Sequence, residues 1–137
     1  MRSHSIRLAW MLFVLGLLTG FAVEDGDISS IDSARRLQVT HSLWTSEPPV
    51  KVGDYPEFGI VGRDGEIHAW YGIGQSLVML PADFIGSLLV GQTTPEPASL
   101  AGRIKHAFVV YATFPLLTAG CVVLGYAVLL QLGLGLK

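Results

Sequence analysis

The chain has 137 residues, half of them hydrophobic, and only 15 % of them carry a charge, against about a quarter in ordinary soluble domains. The net charge is −2 and no basic stripe runs along the sequence, which argues against a nucleic-acid partner. The charge deficit is concentrated in two uncharged segments, residues 8–23 and 107–136. Because an apolar run of about 18 or more residues can cross a bilayer, the sequence predicts an integral membrane protein.

The first uncharged segment follows two arginines and precedes a group of acids. Positive charge before a span keeps that end in the cytoplasm. We therefore predict a cytoplasmic tip and first transmembrane helix over residues 1–23, with residues 24–106 outside the cytoplasm. The segment is either a retained anchor or a signal peptide cleaved after Ala22, since Gly20 and Ala22 are small residues at the positions that such cleavage needs.

Two small elements are predicted at the start of the extracytoplasmic loop. Apolar residues at spacings of three and four favour a helix over residues 32–44, with Asp32 or Ser33 as its N-terminal cap. Residues 58–71 favour a β-hairpin, because Asp64-Gly65 is a strong turn signal between two apolar runs. An isolated hairpin is marginal in water, so we expect it to rest on a membrane surface or on another part of the protein.

Residues 73–90 are apolar enough to span a membrane but contain Pro81 and Asp83. A central carboxylate costs about 2.5–3.5 kcal/mol on insertion scales. Ser76, Asp83 and Ser87 would share one side of a helix and apolar residues another, which suits an interfacial helix lying along the membrane. A third span is the alternative, and composition leaves both open.

Residues 107–137 form the second predicted transmembrane helix, with Lys137 in the cytoplasm if there are two spans. Pro115 lies inside this segment, where proline is tolerated and usually bends the helix. Gly120 and Gly125 are five apart and do not form a Gly-x-x-x-Gly face. The predicted fold class is thus mainly α: two transmembrane helices flank an extracytoplasmic loop with juxtamembrane helices and a short β-hairpin.

The strongest chemical signal is a group of acids just after the first span, followed by two arginines: Glu24, Asp25, Asp27, Asp32, Arg35 and Arg36. Acids outside a span are common, and an N-cap such as Asp32 is worth about 1 kcal/mol, so spacing alone favours a structural role. The histidines have no metal-ligand spacing and are predicted to be polar surface or interface residues: His4, His41, His68 and His106.

Three stretches resemble one enzyme family. Residues 32–44 resemble the first extracytoplasmic loop of the lipid-phosphosugar-dependent glycosyltransferases of the C-type fold, which include the aminoarabinose and protein O-mannosyl transferases. Residues 62–81 resemble a Gly-Arg-Asp-Gly…Tyr-Gly-x-Gly-Gln-Ser-Leu…Pro pattern of bacterial members, and residues 114–119 resemble the start of their second span. The likeness covers most of the chain in the family's order.

The resemblance implies a multi-pass protein of the inner (plasma) membrane, with residues 73–90 on its outer surface. Such enzymes move a sugar from a polyprenyl-phosphate carrier to an acceptor. Asp32 is the counterpart of a loop carboxylate that takes the acceptor proton or holds a metal, and Arg35 and Arg36 would bind the carrier phosphate. No cofactor is evident from the residues themselves, and a divalent metal is compatible with the family.

The sequence also departs from the family. Members have several hundred residues and further loops that complete the donor and acceptor sites, and Ser33 stands where an acid often follows the loop aspartate. The chain therefore resembles an N-terminal fragment that is inactive alone, with membrane lipid, the sugar donor and the remainder of a split transferase as expected partners. The alternatives are a small two-span membrane protein that binds a partner without catalysis, and an inert relic of a broken gene.

Overall fold

A computed structural model describes residues 2–28, 30–51, 53, 56–91 and 98–134. The described chain is mainly helical, with a short two-stranded antiparallel sheet, as predicted. The elements in order are α1 (Arg2–Val23), α2 (Ile31–Ser42), β1 (Gly59–Val61), β2 (Ile67–Ala69), α3 (Ile73–Val90) and α4 (Leu100–Gln131). Three of these helices, α1, α3 and α4, are long and apolar enough to cross a membrane, which suggests a multi-pass membrane protein.

The chain divides into two compact units, of which the first comprises residues 1–25 and 110–137. Within it α1 packs closely on α4 through two glycines, four residues apart. A Cβ atom on Gly16 would lie 2.9 Å from the Cα of Ala119, and one on Gly20 would lie 2.6 Å from the Cα of Pro115. Small residues at this spacing let helix backbones approach in lipid, so the Gly-x-x-x-Gly signal of this chain lies in α1.

The second unit comprises residues 26–109 and begins with α2. The cap of α2 is Ser30, whose hydroxyl accepts a hydrogen bond from the backbone N–H of Ser33 at 3.1 Å. The predicted caps, Asp32 and Ser33, are therefore wrong, because the serine before the first helical residue already satisfies this free amide. Asp32 lies instead in the first turn, where a carboxylate is favourable beside the helix dipole.

The hairpin has the predicted turn. Gly65 adopts a φ of +81°, which glycine reaches without steric cost. The N–H of Gly65 donates to the carbonyl of Gly62 at 3.1 Å, and the N–H of Gly62 donates to the carbonyl of Glu66 at 2.8 Å. β1 and β2 are antiparallel, with Ile60 opposite His68.

α3 is a single helix that continues through Pro81 and ends at Gly91, which has a φ of +66°. Its polar side is buried and its apolar side is exposed. The buried residues include Ser76, Asp83 and Ser87, and the exposed apolar residues include Ile73, Leu77, Phe84, Leu88 and Leu89. The predicted separation of polar and apolar faces is confirmed, and it is the polar face that packs against the protein.

α4 begins at Leu100, before the boundary predicted at residue 107. The earlier start includes Arg103 and Lys105 in the helix, and both residue types are good helix formers. Charge therefore marks where the apolar segment starts but not where the helix starts.

Candidate functional site

The first turns of α2 face the segment that leads into α3. The phenolic O–H of Tyr71 donates to Oδ1 of Asp32 at 2.7 Å. Nη1 of Arg36 donates to the side-chain oxygen of Gln75, and the Arg36 guanidinium lies 5.0 Å from the centre of the Tyr71 ring. Two stretches that the sequence singled out separately, residues 32–44 and 62–81, therefore meet through their side chains.

Arg35 lies on a neighbouring aromatic ring. Its guanidinium is 4.4 Å from the centre of the Phe58 ring, and its Nη1 donates to Oε1 of Gln38 at 3.4 Å. The rings of Phe58 and Tyr71 are 6.4 Å apart and inclined by 31°. Each guanidinium thus rests on one ring of an aromatic pair, an arrangement that contributes about 0.5–1 kcal/mol per contact at exposed sites.

Backbone oxygens and hydroxyls join α2 to α3 beside Arg36. The hydroxyl of Ser76 donates to the carbonyl of Arg36 at 3.1 Å. The hydroxyl of Thr40 lies 2.8 Å from the carbonyl of Arg36 and 3.2 Å from that of Ser76, and its single proton serves one of them at a time. Thr40 and Ser76 are fully buried, so these contacts fix the spacing of the two helices at this level.

Asp32, Arg35, Arg36 and Tyr71 form one group, and its electrostatics follow from one carboxylate and two guanidiniums. The hydrogen bond to the Asp32 carboxylate raises the pKa of Tyr71, with a smaller contribution from burial, while Arg36 and Arg35 act in the opposite direction. The phenol is therefore kept protonated as a donor to Asp32. Since a guanidinium has five N–H donors, the bond from Arg36 to Gln75 leaves others to hold an anion.

The described side chains around Asp32 do not by themselves form a metal site of three protein ligands. Within the described ranges, no three His, Cys, Asp or Glu side chains come close enough together to bind one. The contacts of Asp32 and its neighbours are instead a phenol, a guanidinium and an amide. We therefore assign no metal-dependent step to Asp32.

A second cluster, which the sequence did not indicate, is centred on Asp83. Its Oδ2 accepts a hydrogen bond from the indole N–H of Trp44 at 2.7 Å and lies 2.8 Å from Nδ1 of His41. Nζ of Lys105 is 2.8 Å from Oδ1. Asp83 is fully buried, and Lys105 and His41 are 5 % and 6 % exposed. His41, predicted as a surface or interface residue, lies at the buried interface of α2 and α3.

The charged residues of the hairpin stay apart from both clusters. Nε2 of His68 lies 3.1 Å from each carboxylate oxygen of Asp64, and one of these oxygens accepts the N–H of Glu66 at 3.1 Å. These bonds lower the pKa of Asp64, with His68 as the main cause. Asp64 and Arg63 are exposed turn residues.

Comparisons with known proteins add no assignment. No protein-family model, curated protein or solved structure matches the chain.

Proposed function

We propose that this chain is the N-terminal part of a membrane glycosyltransferase that moves a sugar from a polyprenyl-phosphate carrier to an acceptor outside the cytoplasm. The proposal starts from the resemblance of residues 32–44 and 62–81 to two motifs of that family. One observation carries it further: Asp32 and Arg36 of the first stretch hydrogen-bond to Tyr71 and Gln75 of the second. Two stretches that resemble separate motifs of that family are thus joined through their side chains in this chain.

Each side chain has a role that follows from its chemistry. Arg35 and Arg36 bind the carrier phosphate, since guanidinium matches phosphate oxygens and keeps its charge. The acceptor oxygen attacks the sugar carbon as the bond from that carbon to the phosphate oxygen breaks, and the phosphate leaves with the electron pair. Asp32 takes the proton from the acceptor hydroxyl. Transfer also requires the remainder of the transferase, so we expect no activity from this chain alone.

The proposal includes an arrangement in the membrane. α1 and α4 span the inner membrane, the N-terminus is cytoplasmic, and α3 lies on the outer surface. The side of α3 that bears Asp83 is buried while apolar residues such as Phe84 and Leu88 are exposed, as expected of a helix that lies with one face in the acyl-chain boundary. A reporter fused after residue 137 should lie in the cytoplasm, whereas three spans would place it outside.

Carrier binding gives the direct test of function. The intact chain in nanodiscs is titrated with undecaprenyl phosphate, and its affinity is compared with that of Arg36→Gln. We expect a loss of about tenfold, because a charge-assisted hydrogen bond contributes about 1.5–3 kcal/mol. Arg63→Gln is the matched control, since Arg63 is an exposed arginine of the hairpin turn.

Two results would contradict the proposal. Equal losses in Arg36→Gln and Arg63→Gln would mean that the phosphate responds only to overall charge. Failure of the unaltered chain to bind undecaprenyl phosphate would remove the transferase assignment and favour the partner-binding membrane protein.

A further inference from the structure

The cluster around Asp83 joins three helices of the second unit. Asp83 belongs to α3, His41 and Trp44 lie at the end of α2 and just after it, and Lys105 belongs to α4. In each of the three contacts, the nitrogen of the partner lies 2.7–2.8 Å from a carboxylate oxygen of Asp83. Among the described residues of the unit, one carboxylate thus connects α2 with the residues just after it, α3 and α4.

Stability alone does not explain such a cluster. A buried ion pair loses much of its Coulomb attraction to desolvation, and well-packed apolar residues of similar volume are often equally stabilising. The burial of apolar side chains such as Leu37 in α2 and Met79 in α3 has little directional preference. Hydrogen bonds do have one, so the bonds of His41 and Trp44 to Asp83 specify a single placement of the end of α2 on α3.

The two helices meet at two levels. At the first, the carbonyl of Arg36 accepts the hydroxyl of Ser76, next to the candidate site. At the second, about two turns further along α3, His41 and Trp44 meet Asp83. A slip of α2 by one turn would move its side chains by about 5.4 Å, which is enough to break the 2.7 Å bond between Tyr71 and Asp32.

We propose that Asp83 is a positioning residue, which fixes α2 on α3 and so holds Asp32 and Arg36 at Tyr71 and Gln75. The value of this positioning for sugar transfer rests on the proposed function. Its geometry can be tested independently of carrier binding or sugar transfer.

The readout is the hydrogen bond that Tyr71 donates to Asp32. Ultraviolet resonance Raman spectra distinguish a phenol that donates strongly to a carboxylate from one that exchanges bonds with water. Subtracting the spectrum of Tyr71→Phe from that of the unaltered chain in detergent isolates the spectral contribution of Tyr71. Asp32→Asn supplies the reference spectrum for the lost carboxylate, and helix content by circular dichroism shows that each variant is folded.

Two variants alter the cluster without touching the candidate site. Asp83→Leu combined with Lys105→Met removes both charges and leaves apolar side chains in their place. Trp44→Phe is milder, because it removes one donor to Asp83 but retains an aromatic ring beside Phe84, whose centre lies 5.2 Å from that of Trp44. Each variant is also made with Tyr71→Phe for the subtraction.

We expect the double variant to retain wild-type helix content and to lose the strong-donor signal of Tyr71, as Asp32→Asn does, with a partial loss in Trp44→Phe. An unchanged Tyr71 signal in a folded Asp83→Leu, Lys105→Met variant would overturn the proposal. If the double variant does not fold, an unchanged signal in Trp44→Phe would overturn it and a partial loss would support it. The proposed function fails by a different result, the absence of carrier binding by the unaltered chain.

Discussion

Replacing Lys105 with methionine removes the ammonium group 2.8 Å from Oδ1 of Asp83 while keeping a long unbranched side chain. Asp83 is fully buried, so water cannot replace the lost partner. Removing one member of a buried ion pair costs about 3–5 kcal/mol. Because Trp44 and His41 still contact Oδ2, we expect a loss near the lower limit, about 3 kcal/mol.

The assay is thermal unfolding of the full chain in a mild detergent, followed by circular dichroism. At about 3–4 °C per kcal/mol for a chain of this size, Lys105→Met should unfold about 10 °C below the wild-type protein. Adding Asp83→Asn removes the unpaired charge, and the double variant should recover most of the loss. Arg103→Met is the matched control: Arg103 is exposed on the same helix, and surface changes usually stay within about 0.5 kcal/mol.

The reasoning fails if Lys105→Met unfolds within about 2 °C of the wild-type protein, which corresponds to about 0.5 kcal/mol. It also fails if Lys105→Met with Asp83→Asn is no more stable than Lys105→Met, since the loss would then not come from an uncompensated carboxylate.

Three further results are expected. Gly20→Ala should destabilise the α1–α4 contact by about 1–3 kcal/mol, measured by detergent unfolding, and Gly120→Ala should not, because a Cβ on Gly120 meets no described atom within 4 Å. Ser30→Ala should cost about 1 kcal/mol in the same assay, through loss of the α2 cap. Since the pKa of Asp64 is lowered from 3.8 by His68, its contribution to hairpin stability is complete above that value and is lost as the pH falls through the folded pKa. Amide chemical shifts of the hairpin should follow this loss as the pH falls, and His68→Gln should make the pH-dependent change smaller.

Local chemistry explains what the sequence could predict. The apolar segments that become α1 and α4, and the hairpin turn at Asp64-Gly65, depend on residues that are neighbours in the chain. The cap of α2 was misplaced for a local reason too, because Ser30, Asp32 and Ser33 are all good capping residues and only the backbone conformation selects among them.

No local pattern in the sequence indicated the contacts of the candidate site. Asp32 and Tyr71 are 39 residues apart, and their bond depends on how α2 lies on the segment before α3. Asp83 was recognised as costly in an apolar helix, but its partners are distant: His41 lies 42 residues before it, and Lys105 belongs to α4. The four-residue spacing of Gly16 and Gly20 is, by contrast, a local signal for the packing face of α1, but only Gly120 and Gly125 were considered as such a pair from the sequence.

The outward face of α3 also bears on how this protein can be handled. Leu88 and Leu89 are 67 % and 63 % exposed, and Leu77 is 53 % exposed, so one helix carries a large apolar surface of its own. Contiguous apolar patches of this kind lead to aggregation unless something covers them. Proteolytic removal of α1 and of the apolar part of α4 should therefore release a segment that still needs detergent or lipid to stay in solution.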